Sequence, residues 1–208
     1  MIDFPASTIV RRRLPKEAFY KHLPLSAALK QKFVSDVDRI TVENSLTKGN
    51  LNLEKDSEIR EIMLLSISLK KQDFDGKIVE AIARQNPHKL IFLLVYDAER
   101  QLAVYHSKLY RTKWMKENNL SLTLAGNTLD EIWDDLVRQI AVSSEAVLKQ
   151  EGQTIDEQLK TQDEIDRLNT LIKRIEAAAW KEQQPKKKFE LYTRLQEYKK
   201  QLEEITNG

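Results

Sequence analysis

Between residues 62 and 106 the chain reads IMLLSISLKKQDFDGKIVEAIARQNPHKLIFLLVYDAERQLAVYH, and no other block limits the fold as much. Residues 62–69 are almost continuously apolar and rich in Ile and Leu, the signature of a strand covered on both faces. A short helix follows, opened after Gly76 and stopped before Pro87, with Ile78, Val79 and Ile82 on one side. Two β-rich runs, 90–96 and 101–106, flank Asp97-Ala98-Glu99-Arg100 and predict a hairpin. A strand, a helix and a second strand in that order suit a parallel pair joined by a right-handed crossover.

Upstream, Phe19, Leu23, Leu25, Leu29 and Phe33 recur at helical intervals, with Ala18 among them and Pro24 forcing a break. Ile40 and Val42 alternate with Arg39, Thr41 and Glu43, which predicts a short half-exposed strand. Downstream, Thr128 and Glu131 stand at capping-box spacing, and Leu129, Ile132, Trp133, Leu136 and Ile140 predict a helix that closes the core. The acidic residues at its amino end, Asp130, Glu131, Asp134 and Asp135, suit the helix dipole.

Beyond about residue 150 strand signals vanish. Ile165, Leu168, Ile172, Ile175 and Ala179 step by three and four, and so do Leu191, Leu195, Tyr198, Leu202 and Ile205. Between them lies KEQQPKKKF, in which Pro185 cannot continue one helix and is suited to start the next. Two adjacent seams of similar length favour an intramolecular antiparallel hairpin, with arms of roughly 30 Å, over a dimeric coiled coil. The expected architecture is α/β (α+β): a small mixed sheet of about four strands flanked by helices in residues 1–150, then a coiled-coil-like helical hairpin in 151–208.

Composition narrows the function classes. With 41% hydrophobic and 32% charged residues the 208-residue chain has a globular balance, and without cysteine it has neither disulfides nor thiolate metal sites. The opening MIDFPASTIVRRRLP has no apolar core of a secretion signal, and no later run approaches a membrane span; a cytoplasmic protein is expected. The net charge of +2 is no nucleic-acid binder's excess, so any basic face is local.

Catalytic signatures are few. The five glycines form neither phosphate-loop pattern, and His22, His88 and His106 are scattered without ligand spacing; no metal or cofactor is expected. One enzymatic pattern remains, that of Mg²⁺-dependent nucleases, in which paired carboxylates hold the ion and a lysine on the central strand steadies water or phosphate. Asp36 or Glu61 with Lys70 are the candidates, although Ser68 stands where the acid two before the lysine belongs. Candidates for contacting nucleic acid are Arg11, Arg12 and Arg13, then Lys108, Arg111, Lys113 and Trp114 in YHSKLYRTKWMK, and the turn lysines Lys186, Lys187 and Lys188. The competing structural reading of Tyr105, Tyr110 and Trp114 puts their rings in the core while the cations guard a sheet edge.

The pieces LPKEAFYKHLPLSAALKQKFVSDVDRITVENSLT, REIMLLSISLK, IARQNPHKLIFLLVYD, LDEIWDDLVRQI and KEQQPKKKFELYTRLQEYKKQLEEI, in that order, resemble domain-of-unknown-function family 4391 of bacteria and archaea. The resemblance implies a partner of restriction-type and anti-phage systems, encoded beside a helicase-like protein and a DNA methyltransferase. It transfers no catalytic residues; members often carry acids in the strand that reads SISLK here. The expected function is therefore a non-catalytic accessory subunit, a monomer or weak homodimer, docking on such a partner with a contact to DNA. The alternative is a Mg²⁺-dependent nuclease-like domain.

Overall fold

A computed structural model describes residues 2–23, 25–148 and 152–207. Pro24, the side chains of Ala18 and His22, and the expected domain boundary at 150/151 lie outside the described residues. Contacts divide the chain into two compact units, residues 1–141 and 142–208.

In the first unit, β3 (Glu61–Leu69) is the central strand, with Ile62, Leu64, Leu65, Ile67 and Leu69 all buried. Its nearly continuous apolar run leaves no face for water, so both faces must be covered. It pairs in parallel with β4 (Lys89–Tyr96), in register from Ile62 opposite Lys89 to Ser68 opposite Val95, and α3 (Lys77–Gln85) fills the crossover. β5 (Glu99–His106) returns antiparallel to β4. The turn is tighter than expected: Tyr96 faces Glu99, and Asp97 takes a left-handed backbone with φ 46°. Aspartate tolerates that conformation better than most residues.

On the other side β2 (Val37–Thr47) runs antiparallel to β3 and carries β1 (Ile9–Leu14) outside it. β6 (Lys108–Arg111) and the two-residue β7 (Met115–Lys116) both pair with β5, giving the order β1-β2-β3-β4-β5-β6 with β7 off the path. Among the described residues the sheet therefore has seven strands where about four were expected, and β3 with β4 is the one parallel pair of its named strands. The extra strands are edge strands of few residues and high charge. Arg11, Arg12 and Arg13 hide the apolar alternation that marks a strand, and charge at an edge also blocks pairing with another chain. β2 also extends beyond the alternation at Ile40 and Val42, and its ladder bulges between Val37 and Arg39 and again between Val42 and Asn44, which shifts the phase of that alternation.

One face of the sheet carries α1 (Lys16–His22), α2 (Ala27–Asp36) and α3, over a core that includes Phe33, Val37, Ile40, Ile67, Ile78 and Phe92. Burying a side chain of that size contributes about 1.5–3 kcal/mol. α4 (Leu129–Ala141) turns Leu129, Ile132, Trp133, Leu136, Val137 and Ile140 inward and packs on β3, β5 and β6. Its start is held from two directions. Thr128 Oγ1 accepts from Glu131 N–H at 3.1 Å while the Glu131 carboxylate accepts from Asn127 N–H at 2.7 Å. Asp130 accepts from the amides of Glu58 and Ile59, both at 3.0 Å, so this acid is a tether for the loop before β3 as well as a partner of the dipole.

The second unit comprises α5 (Glu145–Leu148), α6 (Ile155–Lys181) and α7 (Pro185–Asn207). A capping box at Thr154 and Glu157 opens α6, and Pro185 is the first residue of α7. The link is only residues 182–184, so the arms are longer than expected, about 40 and 35 Å at ~1.5 Å per residue. Lys199 Nζ meets Glu176 Oε1 at 2.8 Å, which fixes an antiparallel pairing. Ile165, Leu168, Ile172, Ala179 and Leu195 are buried, whereas Ile175, Leu191, Tyr198, Leu202 and Ile205 are half-buried. A two-helix seam covers each side chain from one side only. Within this unit the Gln162 side chain ties residues 143 and 144 to α6: Oε1 accepts from the amides of Ser143 at 3.0 Å and Ser144 at 2.9 Å.

Candidate functional site

Of the nuclease-like candidates, Asp36 adjoins Lys70 and Glu61 does not. Asp36 ends α2 and is 2% exposed; its backbone carbonyl accepts from Lys70 N–H at 2.8 Å, so these two residues adjoin at the end of β3. Its Oδ1 accepts from Ser35 Oγ at 2.6 Å and meets Lys71 Nζ at 3.0 Å, while Oδ2 is buried without a hydrogen bond among the described residues. Glu61 lies at the opposite end of the same strand, roughly 25–30 Å away at ~3.3 Å per residue. There it accepts from Ser45 Oγ and faces His88 Nδ1 at 3.2 Å. A sequence interval of nine residues looks near; in an extended strand it is the full height of the sheet. Ser68 is the partner of Arg39 across the ladder. Among the described residues no three His, Asp or Glu side chains come together as a cation site.

Behind that strand end Lys32 Nζ meets Asp75 Oδ2 at 2.9 Å, and Asp75 Oδ1 accepts from Lys77 N–H at 3.1 Å beside the start of α3. The hydrogen bond from Lys32 is the main cause that holds the Asp75 carboxyl below its ordinary value. This pair secures α2 against α3 and leaves neither charge unmatched.

The arginine triplet is dispersed as well. Arg12 pairs with Val42 and Arg13 with Thr41, so the pleat sends their side chains to opposite faces. Arg11 sits in the bulge between Ile9 and Arg12 with φ 48°, a left-handed conformation that costs a non-glycine residue of the order of 1–3 kcal/mol. It lines a cavity of about 640 Å³ together with Phe4, Glu43, Asn44, Leu93 and Arg100. Arg100 there is engaged with Glu117 at 2.9 Å.

Rings from the end of β5 onward have structural neighbours. Trp114 packs against the core, Tyr110 is buried with Lys108 Nζ 4.9 Å from its ring centroid, and Tyr105 lies under Arg84 at 5.9 Å. Arg111 and Trp114 border an open groove of about 440 Å³ with Gln101 and Thr112, while Lys113 is exposed. That segment follows the structural reading of its aromatics more closely than the stacking one.

The helical pair presents a different chemistry. Lys186, Lys187 and Lys188 lie in the first turn of α7, not in the link before it. Among the described residues none of them, nor Lys181 or Arg194, has a carboxylate partner within ion-pair distance. Beside them Trp180 is 82%, Phe189 73% and Tyr192 42% exposed. These three rings were absent from the sequence candidates. The signal was available in their phase, since Trp180 follows Ala179, and Phe189 and Tyr192 flank Leu191, all off the heptad seam.

Among the described residues no helix is long and apolar enough to cross a membrane. No curated protein and no solved structure is significantly similar to the chain. A family description does match, over residues 2–202, nearly the whole length. The chain belongs to the family described as Domain of unknown function (DUF4391).

Proposed function

We propose that this protein is a non-catalytic accessory subunit of a restriction-type or anti-phage system, seated on a helicase-like protein or a DNA methyltransferase and touching DNA with local clusters of cations. The observation that carries the reading is the hairpin tip: exposed rings at Trp180 and Phe189 beside lysines without a carboxylate partner among the described residues. Apolar area left in water in such concentration marks a contact surface, and a two-helix arm offers surface without a reaction pocket. The dispersal of Asp36 and Glu61 to opposite ends of β3 supports the same reading.

The alternative, a Mg²⁺-dependent nuclease, keeps one observation in its favour, the adjacency of Asp36 and Lys70 with one buried carboxylate oxygen unbonded. Incubating the purified chain with supercoiled plasmid and Mg²⁺ or Mn²⁺ separates the two. The accessory reading expects intact plasmid, and cleavage abolished by Lys70→Ala would overturn it. Co-expression with the neighbouring genes should recover a stoichiometric complex with one of their products.

A further inference from the structure

The geometry points to the hairpin tip as a stacking site for single-stranded DNA, with the rings of Trp180, Phe189 and Tyr192 taking bases and Lys181, Lys186, Lys187 and Lys188 taking phosphates. This inference rests on the binding reading above and names the ligand of that surface. Phe189 and Tyr192 are three residues apart on α7 and so project from neighbouring turns of one face. Trp180 and Tyr192 stand at a groove of about 590 Å³ between the two helices, floored by Leu195 and edged by Lys173 and by the ion pair of Lys199 with Glu176. From residue 180 to 194 there are five Lys or Arg against two Glu.

Three physical arguments select this ligand. All three large exposed apolar side chains of the tip are aromatic, so each offers a flat face on which a planar base can stack. Stacking needs a free base face; duplex DNA offers its faces only to neighbouring pairs, so exposed rings would gain nothing from it. The excess of unpaired cations repels a second copy of the same tip and attracts a phosphate chain.

The test is fluorescence anisotropy of fluorescein-labelled dT20 with the full chain at low salt. Saturable binding is expected, at least tenfold tighter than to a duplex of equal length. Trp180→Ala with Phe189→Ala should weaken it tenfold or more, since each stacked base is lost with its ring, whereas Trp180→Phe should retain most of the affinity. Four phosphate contacts predict that log affinity falls against log salt with a slope near −3, and Lys186→Glu, Lys187→Glu and Lys188→Glu together should flatten it toward −1. Circular dichroism melting of each variant should match the parent, because the replaced side chains are exposed. Absence of dT20 binding, or equal binding by the Trp180→Ala, Phe189→Ala variant, overturns the inference. So does displacement of dT20 by poly-glutamate as effective as by unlabelled dT20, which would make the tip a site for acidic protein. Loss of partner co-purification would sink the docking reading and leave dT20 binding in place, so the two failures are distinguishable.

Discussion

Two polar residues show how much a single side chain decides. Gln162 is 1% exposed and its carbonyl oxygen serves the amides of Ser143 and Ser144, while its Nε2 donates to Asp166 at 3.0 Å. Gln162→Leu keeps the volume and removes both acceptor bonds, so we expect the helical unit to lose about 1–3 kcal/mol, read as a lower urea midpoint at unchanged slope. Asp75 is the second. Its carboxyl is held below its ordinary value chiefly by the hydrogen bond from Lys32, so its contribution is complete above the unfolded value and is lost as pH falls through the lower folded one. Asp75→Asn should flatten the decline of thermal midpoint below about pH 4, compared with the parent. Neither role was legible beforehand, because glutamine within a helix and aspartate within a loop are ordinary in sequence and acquire their partners only through folding.

At the scale of elements, the readable ones are those with strong periodicity. The strand at 62–69, the helix before Pro87, the β4–β5 hairpin and α4 all stand where their patterns place them. β1, β6 and β7 escaped because an edge strand buries little and has no apolar alternation to display: every residue of β1 except Leu14 is exposed. The nuclease-like candidates separate at this same scale: Asp36 adjoins Lys70 where α2 meets the end of β3, whereas Glu61 stands a full strand away. In the helical pair, Leu168 and Leu195 are buried on facing arms. Leu168→Ala or Leu195→Ala should cost about 2–5 kcal/mol, measured as reduced hydrogen-exchange protection across α6 and α7.

For the molecule as a whole, the two seams satisfy each other within one chain, so light scattering should return the mass of a single chain at micromolar concentration; a doubled mass would mean that the helices pair between chains instead. The sequence by itself determined the central strand, the crossover and the helical pair, because each rests on local periodicity and a few breakers such as Pro87 and Pro185. Tertiary structure alone decided the width of the sheet and which charged residues meet. It parted the arginine triplet across a pleat, sent Asp36 and Glu61 to opposite ends of β3, and left Trp180 and Phe189 in water beside the lysines of α7. The reason is physical: burial and pairing depend on what lies across space from a residue, and edge strands and exposed rings carry no periodic mark of that neighbour.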